Sequence, residues 1–183
     1  TTLFRSIVVI FQPELRKALD SLGRRNILTR ILEFGSGRDT SERFTNRTVN
    51  EVMRAVSTMA KAKTGALIVL EQETPLDEYE RTGIRLDSVI SSQLLINVFE
   101  HNTPLHDGAV IMKNNRLIAA TCYLPLSDNM QLSKALGTRH RAGLGMSEVT
   151  DALVIIVSEE TGKISVAYGG VLDRSLDSEK LKE

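Results

Sequence analysis

The sequence is poor in several features that would restrict its class. It has one cysteine, Cys122, so no internal disulfide can form, and the simplest interpretation is a reduced core residue. Apolar runs such as Ile7–Phe11 and Ala66–Leu70 are five residues each, and no run exceeds six, whereas a membrane span needs about twenty. No signal peptide is recognisable. The composition therefore excludes a disulfide-rich scaffold, and no run of these residues is a candidate membrane span.

The chain also lacks an excess of charge of either sign, because Lys plus Arg and Asp plus Glu both number 23. A long nucleic-acid backbone is bound by a basic surface, so no nucleic-acid partner is expected. A nucleotide needs only a few local cations and is compatible with this composition. With 183 residues, the chain fits one domain that can bury roughly two thirds of its unfolded surface.

The first half of the sequence predicts both strands and helices. Apolar runs predict strands at Ile7–Phe11 and Ala66–Leu70. The predicted helices are Glu14–Leu22, one that begins at Thr48 with a capping box to Glu51 and stops at Gly65, and one that carries the apolar stripe from Ile90 to Phe99. A polar loop is predicted at Glu33–Asn46.

The second half predicts two hairpins around a helix. Ala109–Lys113 and Arg116–Tyr123 are joined by Asn114-Asn115, because asparagine tolerates the positive φ of a two-residue turn. A helix is predicted at about Thr138–Ser147. The second hairpin joins Leu153–Ser158 to Lys163–Tyr168, and a further helix is predicted to begin at Asp177. This order predicts a single α/β domain with a mixed parallel and antiparallel sheet flanked by α-helices.

His106-Asp107-Gly108-Ala109 is predicted to lie where a loop enters a strand. A glycine after an acid lets a ligand approach the backbone closely, although Asp-Gly is also an ordinary turn dipeptide. Gly137-Thr138-Arg139-His140-Arg141 is less usual, because cations are unfavourable at a helix N-terminus unless an anion lies among them. With Thr138 as N-cap, this turn is either a phosphate cradle or a solvated basic turn.

Two further segments carry polar or aromatic groups at strand ends. Ser158-Glu159-Glu160-Thr161 is either an acidic hairpin tip or a set of oxygen ligands for a metal-bound triphosphate. Tyr123 lies at the end of a predicted strand in a chain with only 4% aromatic residues. It could pack in the core or stack on a base, which is worth roughly 1–3 kcal/mol.

Together these segments resemble the diadenylate cyclase (DAC) domain. The matching stretches are LHDGAVI at 105–111, GTRHRAGLGMSEVTDA at 137–152 and IIVSEETGKISV at 155–166. The resemblance covers most of residues 1–183 and implies the DAC fold. The opening IVVIFQPELRKALDSL is similar to the membrane-anchored, CdaA-type branch, in which transmembrane helices precede the cyclase domain. Because the chain begins at Thr1 and not at a methionine, we expect such a segment upstream.

The resemblance implies condensation of two ATP into cyclic di-AMP (3′,5′-cyclic diadenylate) with release of two pyrophosphates. Asp107, Arg139, His140 and Arg141 would be catalytic. Asp107 would assist the attacking 3′-hydroxyl, and Mg²⁺ or Mn²⁺ would be held by His106, Asp107 and Glu160. The remaining substrate contacts, with Tyr123 stacking on adenine, would come from Gly108, Ala109, Tyr123, Leu124, Thr138, Ser158, Glu159 and Glu160.

The family further implies partners and a location. Since cyclic di-AMP has two equivalent halves, a two-fold homodimer is the expected active unit. The branch works at the cytoplasmic face of the cell membrane, with a membrane-bound regulator and a phosphoglucosamine mutase as possible partners. The family often has Ala-Ala after Arg-His-Arg, whereas this chain has Ala142-Gly143, which predicts a less rigid helix.

Two alternatives stay open from the residues alone. One is a catalytically silent module that senses ATP or the dinucleotide, and it would be expected to lack Asp107 or part of Arg139-His140-Arg141. The other is an α/β interaction domain, which would leave the coincidence of the motifs unexplained.

Overall fold

A computed structural model of the chain describes residues 43–129 and 136–174. The predicted strand Ile7–Phe11, the predicted helix Glu14–Leu22 and the tail from Asp177 lie outside these residues, as does most of the predicted loop Glu33–Asn46.

The helices of the described residues are α1 (Asn46–Ala62), α2 (Asp77–Glu80), α3 (Ser92–Phe99) and α4 (Thr138–Val149). The strands are β1 (Ala66–Leu70), β2 (Ile84–Val89), β3 (Ala109–Lys113), β4 (Arg116–Cys122), β5 (Leu153–Val157), β6 (Ile164–Tyr168) and β7 (Val171–Arg174). They form one sheet in the order β2-β4-β3-β1-β5-β6-β7. β1 and β3 are parallel, and the other described pairs are antiparallel.

The sheet separates two hydrophobic cores. Alternate residues of β1 point to opposite faces: Ile68 packs in the core that includes α1 and α3, and Val69 packs in the core that includes α4. Every residue of β1 is buried, as expected for a central strand covered on both sides. These features confirm the predicted α/β class with a mixed sheet flanked by helices.

The start of α1 differs from the prediction. The N-cap is Thr45, whose hydroxyl accepts from the Thr48 N–H, so the helix begins before Thr48. Glu51 accepts a hydrogen bond from the Ser92 N–H at 2.7 Å and thereby joins α1 to α3. The predicted capping box is wrong, because the Glu51 carboxylate accepts from the backbone of Ser92 in α3 and does not cap its own helix. The helix ends at Ala62, where Lys63 adopts a left-handed conformation, and not at Gly65.

Both predicted hairpins are present. Asn114 and Asn115 have φ of 47° and 64°, as the two-residue turn between β3 and β4 requires. Three elements were not predicted: α2, β2 and β7. β2 and β7 lie at the two ends of the described strand order and are mostly exposed, so their residues carry little of the burial signal that marks a central strand.

Candidate active site

A cleft of about 420 Å³ lies at one end of the sheet. It is bordered by the starts of β3 and α4 and by the chain that follows β4 and β5. The lining residues are Leu67, Asp107, Gly108, Cys122, Tyr123, Leu124, Leu126, Gly137, Thr138, Arg139, His140, Ala142, Val157, Ser158, Glu159 and Glu160. Its volume is within the range of small-molecule sites.

The cleft brings together segments that are far apart in the sequence. Of the predicted site residues, those that line it are Asp107, Gly108, Tyr123, Leu124, Thr138, Arg139, His140, Ser158, Glu159 and Glu160. His106, Ala109 and Arg141 are not among the lining residues. Ala109 is fully buried in the core beneath the cleft.

Gly108 is required by the backbone at the entrance to β3. Its φ is +107°, and a Cβ there would lie 2.7 Å from the carbonyl carbon of Thr121 on β4. Thr121 itself has a φ of 58°, and the pairing of β3 with β4 is irregular between Ala109 and Ile111. Irregular strand pairing of this kind often occurs next to functional sites, where it changes the direction of a side chain. The glycine next to Asp107 thus allows a close approach of two strands, in addition to any approach of a ligand.

Arg139 is paired inside the cleft. Its Nη1 lies 2.7 Å from Glu159 Oε2, so the start of α4 is joined to the turn after β5. Gly65 lies directly against this pair, since a Cβ there would be 2.8 Å from Arg139 Nη1 and 3.0 Å from Glu159 Oε2. The place of Gly65 beside this ion pair was not predicted, because a glycine before a strand carries no sequence signal for the distant side chains it will contact.

Arg141 does not share this position. Successive helical residues are rotated by about 100°, so two residues that are two apart point to nearly opposite sides. The Arg141 side chain is exposed, and its Nη2 lies 3.4 Å from the Ser127 carbonyl oxygen. Of the two arginines, Arg139 therefore lines this cleft, whereas the Arg141 guanidinium is directed toward Ser127.

The first turn of α4 begins without a side-chain cap. The N-cap is Gly137, so the predicted capping role of Thr138 is wrong. Thr138 is instead the first helical residue and lines the cleft. A helix N-terminus without a side-chain acceptor presents N–H groups and a positive dipole end, both of which favour an anion.

His140 is 8% exposed and lines the cleft from the same turn. Burial lowers the pKa of its imidazole, and the nearby Arg174 guanidinium lowers it further, whereas the Glu160 carboxylate opposes the change. His140 is therefore neutral at physiological pH and can donate one hydrogen bond.

The residues predicted to hold a metal are only partly brought together. Asp107 and Glu160 both line the cleft, whereas the Nδ1–H of His106 donates to the Thr103 carbonyl oxygen at 2.6 Å. Within residues 43–129 and 136–174, no three His, Cys, Asp or Glu side chains are grouped as a metal site. Mg²⁺ is commonly held by one or two carboxylates together with substrate phosphates, and the Asp107 and Glu160 carboxylates fit that donor set.

Apolar residues form much of the remaining lining. Leu67, Cys122, Leu126, Ala142 and Val157 contribute to it and were not predicted. Burial raises the pKa of the Cys122 thiol to about 12, with the Glu80 carboxylate adding to the effect, so this cysteine is an inert thiol. Tyr123 lines the cleft and is 74% exposed, so it does not pack in the core. None of the helices in the described part of the chain has the length and apolar character to cross a membrane.

Comparisons of this chain with known proteins point to one family. Residues 53–172 match the family DAC, described as DisA bacterial checkpoint controller nucleotide-binding. Cyclic di-AMP synthase CdaA of Bacillus subtilis (strain 168) is 54% identical over 180 residues, which are 98% of this chain and 64% of that protein. The chain thus spans a little less than two thirds of this curated relative.

Two solved structures are also similar. A double mutant of DacA from Staphylococcus aureus has a TM-score of 0.72 and 55% identity, covering 73% of this chain and 89% of that chain. A hypothetical membrane spanning protein from Bacillus cereus has a TM-score of 0.70 and 32% identity, covering 93% and 80%. The family match spans more than half of the chain and encloses every described segment of the cleft, and the chain therefore belongs to the DAC family.

Proposed function

We propose that this chain is the catalytic part of a diadenylate cyclase, which condenses two ATP molecules into cyclic di-AMP and releases two pyrophosphates. The observation that carries the proposal is the single cleft that unites Asp107, the first turn of α4 and the turn after β5. The name of the Bacillus subtilis relative, cyclic di-AMP synthase, supports the same reaction.

The two ends of the cleft suit the two ends of ATP. The adenine would lie against Tyr123 and Leu124, beside the apolar lining. The triphosphate would lie at the start of α4, where Thr138, Arg139 and the N–H groups of the first turn provide donors. The exposed ring of Tyr123 is available to stack on the base.

The reaction forms two phosphodiester bonds. Each 3′-hydroxyl attacks the α-phosphorus of the other ATP, the bond to pyrophosphate breaks, and the hydroxyl proton is lost. Asp107 would accept or orient that proton, and Arg139 would offset the charge that develops on the phosphoryl oxygens. Arg139 is held by Glu159 in this structure, so binding of the triphosphate would exchange a carboxylate for a phosphate at the guanidinium.

A divalent metal such as Mg²⁺ or Mn²⁺ would be held by Asp107 and Glu160 together with the substrate. When bound, it would polarise phosphoryl oxygens and make the hydroxyl more acidic. His106 would need its remaining ring nitrogen, Nε2, to take part, because Nδ1 already donates to a backbone carbonyl.

The product has two equivalent halves, and we propose that two copies of the chain face each other so that each presents one nucleotide. We also propose that the whole protein is anchored at the cytoplasmic face of the cell membrane. The similarity to the Bacillus cereus protein described as membrane spanning supports the anchoring.

The central test compares the wild-type chain with Asp107→Asn. Each purified protein is incubated with ATP and Mn²⁺, and cyclic di-AMP is measured by chromatography. We expect the substitution to lower the rate by about 10²–10⁴-fold, as is typical for loss of a general base. Equal rates would remove Asp107 from the mechanism. ATP binding by the wild-type dimer without any product would favour the silent nucleotide-binding module.

A further inference from the structure

The segment that follows β4 forms one wall of the cleft. We call residues 123–127 the base wall, because Tyr123, Leu124 and Leu126 line the cleft from it. The wall has no regular secondary structure of its own. Its position must therefore come from contacts with other elements. The Tyr123 N–H donates to the Thr82 hydroxyl at 2.9 Å, and the other end of the segment is held at Ser127.

Ser127 fastens the far end of the base wall to α4. It is 1% exposed, its N–H donates to the Arg141 carbonyl oxygen at 3.0 Å, and its hydroxyl donates to Glu148 Oε1 at 2.7 Å. The Ser127 carbonyl oxygen also lies 3.4 Å from Arg141 Nη2. These hydrogen bonds attach the buried Ser127 to α4 at both Arg141 and Glu148.

Gly145 lets the helix and the wall approach each other closely. A Cβ at this position would lie 2.7 Å from the Ser127 nitrogen and 2.8 Å from the Leu126 carbonyl carbon, and it would overlap the Pro125 carbonyl oxygen. Backbone atoms cannot move aside as a flexible side chain can. The base wall therefore lies directly on α4, with no side chain between them at this point.

The same helix carries the phosphate side of the cleft on its first turn. Fixing the wall to α4 thus fixes the distance between the adenine side and the phosphate side. In-line phosphoryl transfer depends strongly on such positioning, and a displacement of about 1 Å can cost about 10²-fold in rate.

We infer that Ser127, Glu148 and Gly145 are positioning residues, which hold the base wall in register with the phosphate-binding turn of α4. This inference rests on the proposed placement of ATP in the cleft. None of the three residues needs to touch the reacting atoms. Ser127 and Glu148 act through hydrogen bonds, and Gly145 acts by leaving room for the wall.

The test compares two ligands that share phosphates but differ in the base. Dissociation constants of ATP and of inorganic tripolyphosphate are measured by calorimetry for wild type, Ser127→Ala and Glu148→Ala in the full chain. We expect ATP to bind about tenfold more weakly to both variants, which corresponds to the loss of one buried hydrogen bond. Tripolyphosphate should bind as it does to the wild type, because the first turn of α4 is unchanged.

Ser147→Ala is the matched control. Ser147 is also buried on α4, but its hydroxyl donates to the Leu144 carbonyl oxygen within the helix and does not reach the base wall. It should leave both dissociation constants unchanged, and Glu148→Gln, which keeps an acceptor oxygen, should restore ATP binding. If Ser127→Ala does not fold, Glu148→Ala provides the same comparison, because residue 148 is exposed.

The positioning role of Ser127 and Glu148 would be overturned if folded variants bound ATP and tripolyphosphate equally more weakly. It would also be overturned if the binding of neither ligand were weakened. Wild-type protein that binds ATP but forms no cyclic di-AMP would contradict the proposed cyclase alone, since the binding comparison requires no turnover.

Discussion

Arg139 and His140 show how neighbouring residues of one motif acquire different properties. Arg139 lines the cleft in an ion pair with Glu159, whereas His140 lies deeper and is nearly inaccessible to solvent. Arg141 turns away toward Ser127. A motif that reads as three adjacent cations therefore contributes one paired guanidinium and one neutral imidazole to the described cleft.

The buried imidazole predicts a pH dependence of stability. The pKa of His140 is lowered in the folded state. At a pH just below the ordinary histidine pKa of 6.5, the unfolded chain therefore binds more protons than the folded chain. The free energy of unfolding should then be retained above that pH and fall as the pH drops below it. We expect urea denaturation between about pH 7.5 and about pH 5.5 to show a steeper loss for wild type than for His140→Gln. Parallel curves would contradict this assignment.

Among the secondary-structure elements, the β3–β4 hairpin is tied to the start of α1. The Asn115 Oδ1 accepts from the Thr45 N–H at 2.7 Å and from the Thr48 hydroxyl at 2.8 Å. One asparagine thus supplies the left-handed backbone of the turn and acceptors for the first turn of a helix far away in the sequence.

Substitutions in this turn should separate the two contributions. Asn115→Ala loses the hydrogen bonds and places alanine at φ 64°, so we expect a loss of about 2–4 kcal/mol in the free energy of unfolding. Asn115→Gly tolerates the backbone and should lose only the hydrogen-bond part, about 1–2 kcal/mol. Asn114→Gly is the matched control and should change stability little. Chemical denaturation measures all three, and equal values for Asn115→Ala and Asn115→Gly would exclude a contribution from backbone strain.

Packing also explains the presence of Gly143 in α4. A Cβ there would lie 2.9 Å from Ile156 Cδ1 and 3.3 Å from Val154 Cγ1, so the glycine allows the helix to lie close to β5. The helix propensity of alanine, worth about 1 kcal/mol, would be offset by displacement of these side chains. Gly143 thus has a role in helix–sheet packing that the sequence did not reveal.

In the molecule as a whole, the cleft gathers its residues from β1, β4, β5, α4 and the loop before β3 at one end of the sheet. In the proposed function, it holds one triphosphate. A product with two equivalent halves requires a second such cleft. The proposed dimer therefore follows from the symmetry of the product.

Dimer formation predicts that activity depends on protein concentration. A separated subunit should bind ATP but form no cyclic di-AMP, so the rate per subunit should rise with concentration until the dimer is saturated. Rates at a series of dilutions, with the molecular mass measured by light scattering at each, provide the check. A constant rate per subunit in a proven monomer would contradict the proposal.

The amino-acid sequence was enough to predict the central elements and the family. The five apolar residues of β1, the Asn-Asn turn and the apolar stripes are local signals, and the motifs at 105–111, 137–152 and 155–166 identified the family. Edge elements such as β2 were missed because half-exposed residues give little contrast between faces.

The contacts between residues of these motifs became visible in the folded chain alone. Sequence spacing could not show that Arg139 pairs with Glu159 or that Gly65 lies against them, nor that Ser127 joins the base wall to α4. Such contacts depend on how elements distant in the chain pack together, and no local periodicity encodes that arrangement.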